Sequence, residues 1–237
     1  MLGAPHQHAP HRHALHRHAR HRHRSHRRAG GRVSRPIAAA DAGDLDLDRV
    51  RECVKDLLAR DAEAAFLRRA SRRQYEAARE AAPDAVHHPR SGLVVLTRPR
   101  PRPCSWVPRP VAVVSAGTAD LPVAEEARAA ASALGLPATL TADVGVAGLH
   151  RLLAVREELD RARLLIVVAG MDGALPSAVA RLSSRPVVAV PTSVGYGSSD
   201  GGLAALAALL TSGAPGLAAT GIDDGLGAAV LAWRLLA

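Results

Sequence analysis

The fold turns on the reading of Val111-Ala-Val-Val-Ser-Ala-Gly-Thr-Ala-Asp120-Leu-Pro-Val-Ala-Glu-Glu126. Its first four residues are an unbroken apolar run, and three of them are β-branched. A run that short, stopped by Ser115 and Gly117, reads as a strand buried on both faces. Asp120, Pro122, Glu125 and Glu126 then gather where a helix start needs acceptors for its orphan amides and negative charge at its positive dipole end. The stretch is therefore strand, glycine turn, helix, with the helix predicted to run from about Leu121 to Leu134.

The same grammar repeats downstream. Strands are predicted at 138–143, 164–169, 186–192 and 217–222, and helices at 148–162, 175–183, 202–212 and 225–236. In the first of these helices Leu149, Leu152, Leu153 and Leu159 share one face. Five apolar strands alternating with helices call for a parallel sheet covered on both sides. The expected class is α/β, a flavodoxin-like doubly wound sheet of order 2-1-3-4-5, with its site outside the strand C-terminal ends.

Upstream the pattern changes. Residues 98–109, opening Arg-Pro-Arg-Pro-Arg-Pro, read as a linker because proline forbids helix and sheet ladders alike. Residues 37–97 read as a small helical segment. Leu47, Val50, Val54, Leu57 and Leu58 recur at helical steps behind Asp44 or Asp46, and a second helix is predicted over Ala64 to Ala82 with Phe66, Leu67 and Tyr75. Only Gly92 to Thr97 reads as a strand there. The domain scheme is a tail (1–36), the helical segment (37–97), the linker, and an α/β domain (110–237).

Charge and composition exclude several functions. The 237 residues carry 31 Lys plus Arg against 22 Asp plus Glu, a formal charge of +9. Residues 1–36 hold nine of the Arg, nine of the 12 His and no acid, so the remaining chain balances 22 basic residues against 22 acidic ones. The basic character belongs to a tail that cannot build a core, and the body has neither the charge nor, with five aromatics, the stacking platforms of a nucleic-acid binder. Lys55 is the only lysine, which removes a phosphate-binding P-loop; Cys53 and Cys104 are the only cysteines, which removes a four-cysteine zinc site. The uncharged run from 201 to 222 is broken by Gly213, Pro215 and Gly216 and is too interrupted for a membrane span. The N-terminus lacks the apolar stretch of a secretory signal, so a cytoplasmic protein is expected. For the tail, three readings compete: a dispensable extension, capture of Ni or Zn by imidazoles such as His16, His18, His21 and His23, and polyanion binding.

The strand-end rule makes a test, because polar and glycine residues should cluster just past each strand. They do, as Ser115, Gly117, Thr118 and Asp120; as Asp143, His150 and Arg151; as Gly170, Met171, Asp172, Gly173 and Ser177; and as Thr192, Ser193, Gly195 and Tyr196. Small hydroxyls and glycines before helix starts suit a phosphate, since amides and dipole both point at the anion. Each taken alone also fits a turn or a cap. Two other motifs fail. Gly197-Ser-Ser-Asp-Gly201 matches a hydrolase elbow, yet no His lies beyond His150 to complete a triad. Gly195-x-Gly197-x-x-x-Gly201, with Asp223 after the next strand, misses the dinucleotide fingerprint by one residue.

These segments resemble the LarB family of nickel-pincer cofactor biosynthesis, a relative of the AIR carboxylase (PurE-type) enzymes. Ser115 to Asp120, Asp143 to Arg151, Val168 to Ser177, Val190 to Gly197 and Ile222-Asp-Asp-Gly225 carry the likeness. The resemblance implies a synthase that carboxylates nicotinic acid adenine dinucleotide with CO2 or bicarbonate and releases AMP and a biscarboxylated mononucleotide. It implies no covalently bound cofactor, leaves Mg2+ open, and implies a homo-oligomer, an octamer by analogy. In the family a cysteine thiolate adds to the pyridinium ring and a carboxylate takes the ring proton. Here the family's Ser-Cys-Ala-Pro-Gly reads Ser212-Gly-Ala-Pro-Gly216, placing Gly213 at the nucleophile position, and its Gly-Met-Glu-Gly reads Gly170-Met-Asp-Gly173, making Asp172 the base. Asp172 and His150 are the catalytic candidates, and the other strand-end residues named above are the substrate-binding candidates. The alternatives are a non-catalytic nucleotide- or nickel-binding homologue, and an AIR carboxylase or mutase with His150 as proton shuttle.

Overall fold

In a computed structural model, which describes residues 35–99, 109–194 and 201–236, the Val111 stretch is a strand followed by a single turn of 3-10 helix and a long helix. The C-terminal part contains β5 (Val111–Ser115), β6 (Ala138–Thr141), β7 (Leu164–Ala169), β8 (Val187–Pro191) and β9 (Leu217–Ala219). These form one parallel sheet of order β6-β5-β7-β8-β9, the predicted 2-1-3-4-5 arrangement. Between them run α3 (Leu121–Ala133), α4 (Leu149–Ala154), α5 (Arg156–Arg161), α6 (Ala174–Leu182) and α7 (Leu203–Leu210), and α8 (Gly225–Leu236) follows the last strand. The helix predicted over 148–162 is two short helices that meet at Val155.

The segment 37–97 departs from expectation. Its two helices exist as α1 (Leu47–Ala59) and α2 (Arg72–Ala81), but it also holds β1 (Ile37–Asp41), β2 (Ala64–Arg68), β3 (Val86–His88) and β4 (Leu93–Thr97). The four strands pair in the order β1-β2-β4-β3, with β1 parallel to β2 and the other pairs antiparallel. Ala64-Ala-Phe-Leu-Arg68 is therefore a strand and not the start of a helix. Its residues have good helix propensity, yet all but the last are buried, with a neighbouring strand on each side. Burial on two faces overrides the intrinsic preference. The helix begins where local chemistry starts it: Ser71 and Gln74 form a reciprocal capping box ahead of α2.

Alternation of side chains builds five layers. Ala64, Phe66, Leu93 and Val95 of the four-stranded sheet share a core with Val111, Val113, Leu164, Ile166 and Val168 of the parallel sheet. The helices α3 and α8 supply most of the rest of that core, and α3 packs against both sheets. Ala65, Leu67, Val94 and Leu96 point the other way, onto α1 and α2. Ala112, Val114, Leu165 and Val167 face α4, α5 and α6. The central position of α3 explains its alanines: Ala124, Ala127, Ala129, Ala130, Ala131 and Ala133 are all buried, leaving little polar face. The described residues belong to one compact unit, Ser34–Ala237, and no helix among them is long and apolar enough to cross a membrane.

Candidate active site at the strand ends

The first strand end is a fixed frame. Ser115 Oγ donates to the Gly117 carbonyl at 2.9 Å, and the Gly117 amide donates to Asp120 Oδ2 at 3.0 Å. The other Asp120 oxygen accepts from Thr192 Oγ1 at 2.7 Å, and both residues are buried. Asp120 therefore ties the β5 turn to the end of β8. Asp120 and Thr192 serve here as props that hold Gly117, Thr118 and Ser193 at the edge.

The β7 turn is the most constrained. Met171 and Gly173 both take left-handed backbone angles, φ 50° and 62°. The Met171 amide donates to the Val194 carbonyl at 3.2 Å. At Gly170 a Cβ would overlap that same carbonyl oxygen and stand 2.5 Å from Thr192 Oγ1, so only glycine lets the β7 and β8 turns meet. Asp172 is exposed, and its Oδ1 accepts from the Ala174 amide at 3.2 Å, closing an Asx turn just before α6, whose N-cap is Gly173.

One turn further along α6, Ser177 Oγ lies 2.8 Å from Ser212 Oγ. That contact packs the α7–β9 loop, which carries Gly213, against the body of α6. A side chain at Gly213 would meet open space, with Arg181 Nη2 at 3.7 Å as the nearest atom. The structure thus separates two expected partners: Asp172 stands at the start of α6, whereas Gly213 lies beside its last turn. Asp143, at φ 61°, pairs with Arg151, whose guanidinium folds back over Gly148. His150 is exposed on the first turn of α4, and its ring makes no hydrogen bond among the described residues. Gly195 and Tyr196, His16, His18, His21 and His23, and Cys104 lie outside the described residues. Among those described, no group of three or more His, Cys, Asp or Glu is placed to hold a metal ion.

The second half of the edge carries residues that the sequence reading did not assign to the site. Ser193 donates its amide to Asp223 Oδ1 at 2.8 Å, and Asp223 is itself left-handed at φ 56°. Arg68, at the end of β2, forms a fork with Glu126 of α3: Nε to Oε1 at 2.6 Å and Nη2 to Oε2 at 2.9 Å. It also donates to the Asp223 carbonyl at 2.9 Å and pairs with Asp224 at 3.2 Å. Burial disfavours the Arg68 charge, but Glu126 and Asp224 outweigh it and hold the guanidinium pKa above its ordinary value. Next in line, Arg69 sits at φ 51° and donates Nε to Asp41 Oδ2 at 2.6 Å. Burial works to raise the Asp41 pKa, and the bond from Arg69 prevails and holds it low. Reading Ser71-Arg-Arg-Gln74 as a capping box would have ended the preceding element at Arg68 and exposed both arginines as strand-end residues.

A cleft of about 330 Å3 opens between the two sheets at this edge, lined on one side by Arg68, Arg69 and Ser91 and on the other by residues including Ser193 and Asp223. A second, of about 260 Å3, lies away from the edge beside Arg35, Arg60 and Arg98.

Comparison with known proteins places these features in a family context. The family model described as AIR carboxylase matches residues 110–237. Uncharacterized protein MJ0165 of Methanocaldococcus jannaschii is 44% identical over 124 residues, which is 52% of this chain and 47% of that protein. N5-carboxyaminoimidazole ribonucleotide mutase of the same organism is 35% identical over 135 residues, covering 54% of this chain and 78% of the mutase. The chain thus spans about half the length of the first of these relatives. Among solved structures, Treponema denticola PurE is similar with a TM-score of 0.43 at 24% identity, over 54% of this chain and 80% of that one.

Proposed function

This chain belongs to the AIR carboxylase family, and on that premise we propose that its strand-end edge is a LarB-type site that binds nicotinic acid adenine dinucleotide, with CO2 or bicarbonate as co-substrate. One observation carries the reading. The Gly170-to-Gly173 turn, with left-handed backbone at Met171 and Gly173 and its Met171 amide bonded to the Val194 carbonyl, presents an exposed Asp172 at the strand-end edge. In the resembling family that carboxylate position holds the base, and the nucleophile position is the one occupied here by Gly213.

The chemistry needs both. A pyridinium carbon is electron-poor; a thiolate adding to the ring makes a neutral enamine whose C5 attacks CO2 and forms the new C–C bond. A carboxylate then takes the C5 proton, the electron pair restores the ring, and the thiolate leaves. Water cleaves the phosphoanhydride and AMP departs. Asp172 is exposed at the edge and able to take that proton, whereas Gly213 has no atom that can add. The chain therefore binds the dinucleotide but does not turn it over with its own residues. The space at Gly213 and the guanidinium of Arg181 beside it would suit a thiolate, whose charge a neighbouring cation stabilises.

Calorimetry with nicotinic acid adenine dinucleotide on the full chain is expected to show binding, and incubation with bicarbonate to release no AMP. Gly213→Cys is expected to release AMP. Absence of dinucleotide binding overturns the reading, and a Gly213→Cys protein that binds without releasing AMP overturns the thiol assignment. The likeness to the mutase favours one rival, aminoimidazole ribonucleotide as substrate. In that reading His150 shuttles the proton, and turnover of that ribonucleotide by the wild-type chain would establish it.

A further inference from the structure

The cleft between the two sheets is unused by the carboxylation chemistry, and it opens on the same edge. Three strand ends contribute to it: Ala119 past β5, Ser193 and Val194 past β8, and Ile222 and Asp223 past β9. The four-stranded sheet supplies Arg68, Arg69 and Ser91. Its volume of about 330 Å3 lies at the lower end of the range of about 300–1,000 Å3 for small-molecule sites, room for one nucleotide and not two.

The polar groups divide into saturated and available ones. Glu126 is occupied by the Arg68 fork and by the Leu226 amide at 3.1 Å. Arg68 spends its donors on Glu126, Asp224 and the Asp223 carbonyl. These two are frame. Asp223 uses one carboxylate oxygen on the Ser193 amide, and its other oxygen makes no bond among the described residues. A carboxylate placed so is an acceptor for a ribose hydroxyl. Arg69 is a cation with 71% of its side chain exposed, and it turns Nε and Nη2 toward Asp41, leaving the Nη1 side of its fork. Pro122, Val123, Val194 and Ile222 give an apolar wall for a base.

Both available groups stand on left-handed backbone, φ 51° at Arg69 and 56° at Asp223. The Arg69 turn is held by Gly92: a Cβ there would come within 3.1 Å of the Arg69 Cα, and the Ala70 amide donates to the Gly92 carbonyl at 2.8 Å. Residues kept in such conformations persist where their surroundings over-determine them, and ligand clamps are a common setting.

We propose that this cleft binds a ribonucleoside 5′-monophosphate, with Arg69 on the phosphate, Asp223 on the ribose and the apolar wall against the base. Resting on the reading above, it takes the AMP half of the dinucleotide, while the nicotinate ring lies across Ser193 toward Asp172. The four-stranded sheet then supplies one wall of the binding site, and its phosphate contact, Arg69, lies outside the AIR carboxylase match while the ribose and base contacts lie within it.

The test is calorimetry on the full chain with three probes: AMP, nicotinic acid mononucleotide and the dinucleotide. Wild type is expected to bind AMP, and Arg69→Ala to weaken AMP and dinucleotide at least tenfold while leaving the mononucleotide unchanged. Asp223→Asn keeps an acceptor for the Ser193 amide and a residue tolerant of left-handed φ, and is expected to weaken the same two ligands. Unchanged melting temperatures establish that both variants fold. AMP binding that Arg69→Ala leaves intact, or dinucleotide binding with none of AMP, overturns the subsite. AMP binding that depends on Arg69, with no dinucleotide binding, supports the subsite as one for a free nucleotide while the LarB reading falls.

Discussion

Arg68→Ala is the substitution whose cost the structure fixes most closely. Glu126 is only 5% exposed at its side chain, and Arg68 is 22% exposed. Removing the guanidinium leaves a buried carboxylate with the Leu226 amide as its remaining donor. Breaking a buried pair in this way costs about 3–5 kcal/mol, because the surviving charge keeps its desolvation penalty. Glu126→Ala should cost less, about 1.5–3 kcal/mol for the lost charged hydrogen bonds, since Arg68 retains Asp224 at 3.2 Å and reaches solvent. At about 3 °C per kcal/mol for a chain of this size, Arg68→Ala should lower the melting temperature by roughly 9–15 °C. Replacing both by apolar residues, Arg68→Met with Glu126→Leu, should return stability close to wild type. Circular dichroism melts and urea titrations at one fixed protein concentration measure all four proteins. A loss below about 1 kcal/mol for Arg68→Ala, or a larger loss for Glu126→Ala, would refute the argument that the buried carboxylate is the costly survivor.

Thr192→Val keeps the shape but strips Asp120 of its 2.7 Å donor; a stability loss of about 1–3 kcal/mol is expected in urea unfolding, and a neutral result contradicts the framing part given to Asp120. Gly170→Ala forces a methyl against the Val194 carbonyl and Thr192, so a loss of about 1–3 kcal/mol is expected together with weaker dinucleotide binding by calorimetry. Burial, and then the nearby Arg128 charge, hold the His88 imidazole below its ordinary pKa. Its neutral form is favoured in the fold, so its contribution is complete above about pH 6.5 and is lost as the pH falls below that value. Melts at pH 7.5 and 5.5 should show a smaller acid loss for His88→Gln than for wild type, and equal losses would exclude His88 as a source.

The parallel sheet was legible because its signal is local and repeated. Val111 to Glu126 contains a whole strand, turn and capped helix, and Leu164 to Ala169 is apolar at every position because both faces are covered. The β7 turn was legible for a similar reason, since Gly170 and Gly173 mark a close approach and a left-handed angle that glycine alone accommodates without cost. Ile37 to Asp41 and Ala64 to Arg68 were not legible. Alanine-rich and short, they become strands only because each finds the other, and β2 also finds β4.

The sequence by itself determined the doubly wound sheet, its strand order, the edge on which polar residues gather, and the glycine at position 213. These follow from periodicity, capping and residue identity, which act within a dozen residues. Tertiary structure alone decided that a second sheet packs on α3, that Asp120 is spent on Thr192, and that Ser212 meets Ser177 and leaves Gly213 beside the last turn of α6, away from Asp172. It also decided that Arg68 and Arg69 face Ser193 and Asp223 across one cleft. Those pairings join residues 35 to 155 positions apart, and no local preference specifies which distant partner a buried charge or hydroxyl will meet.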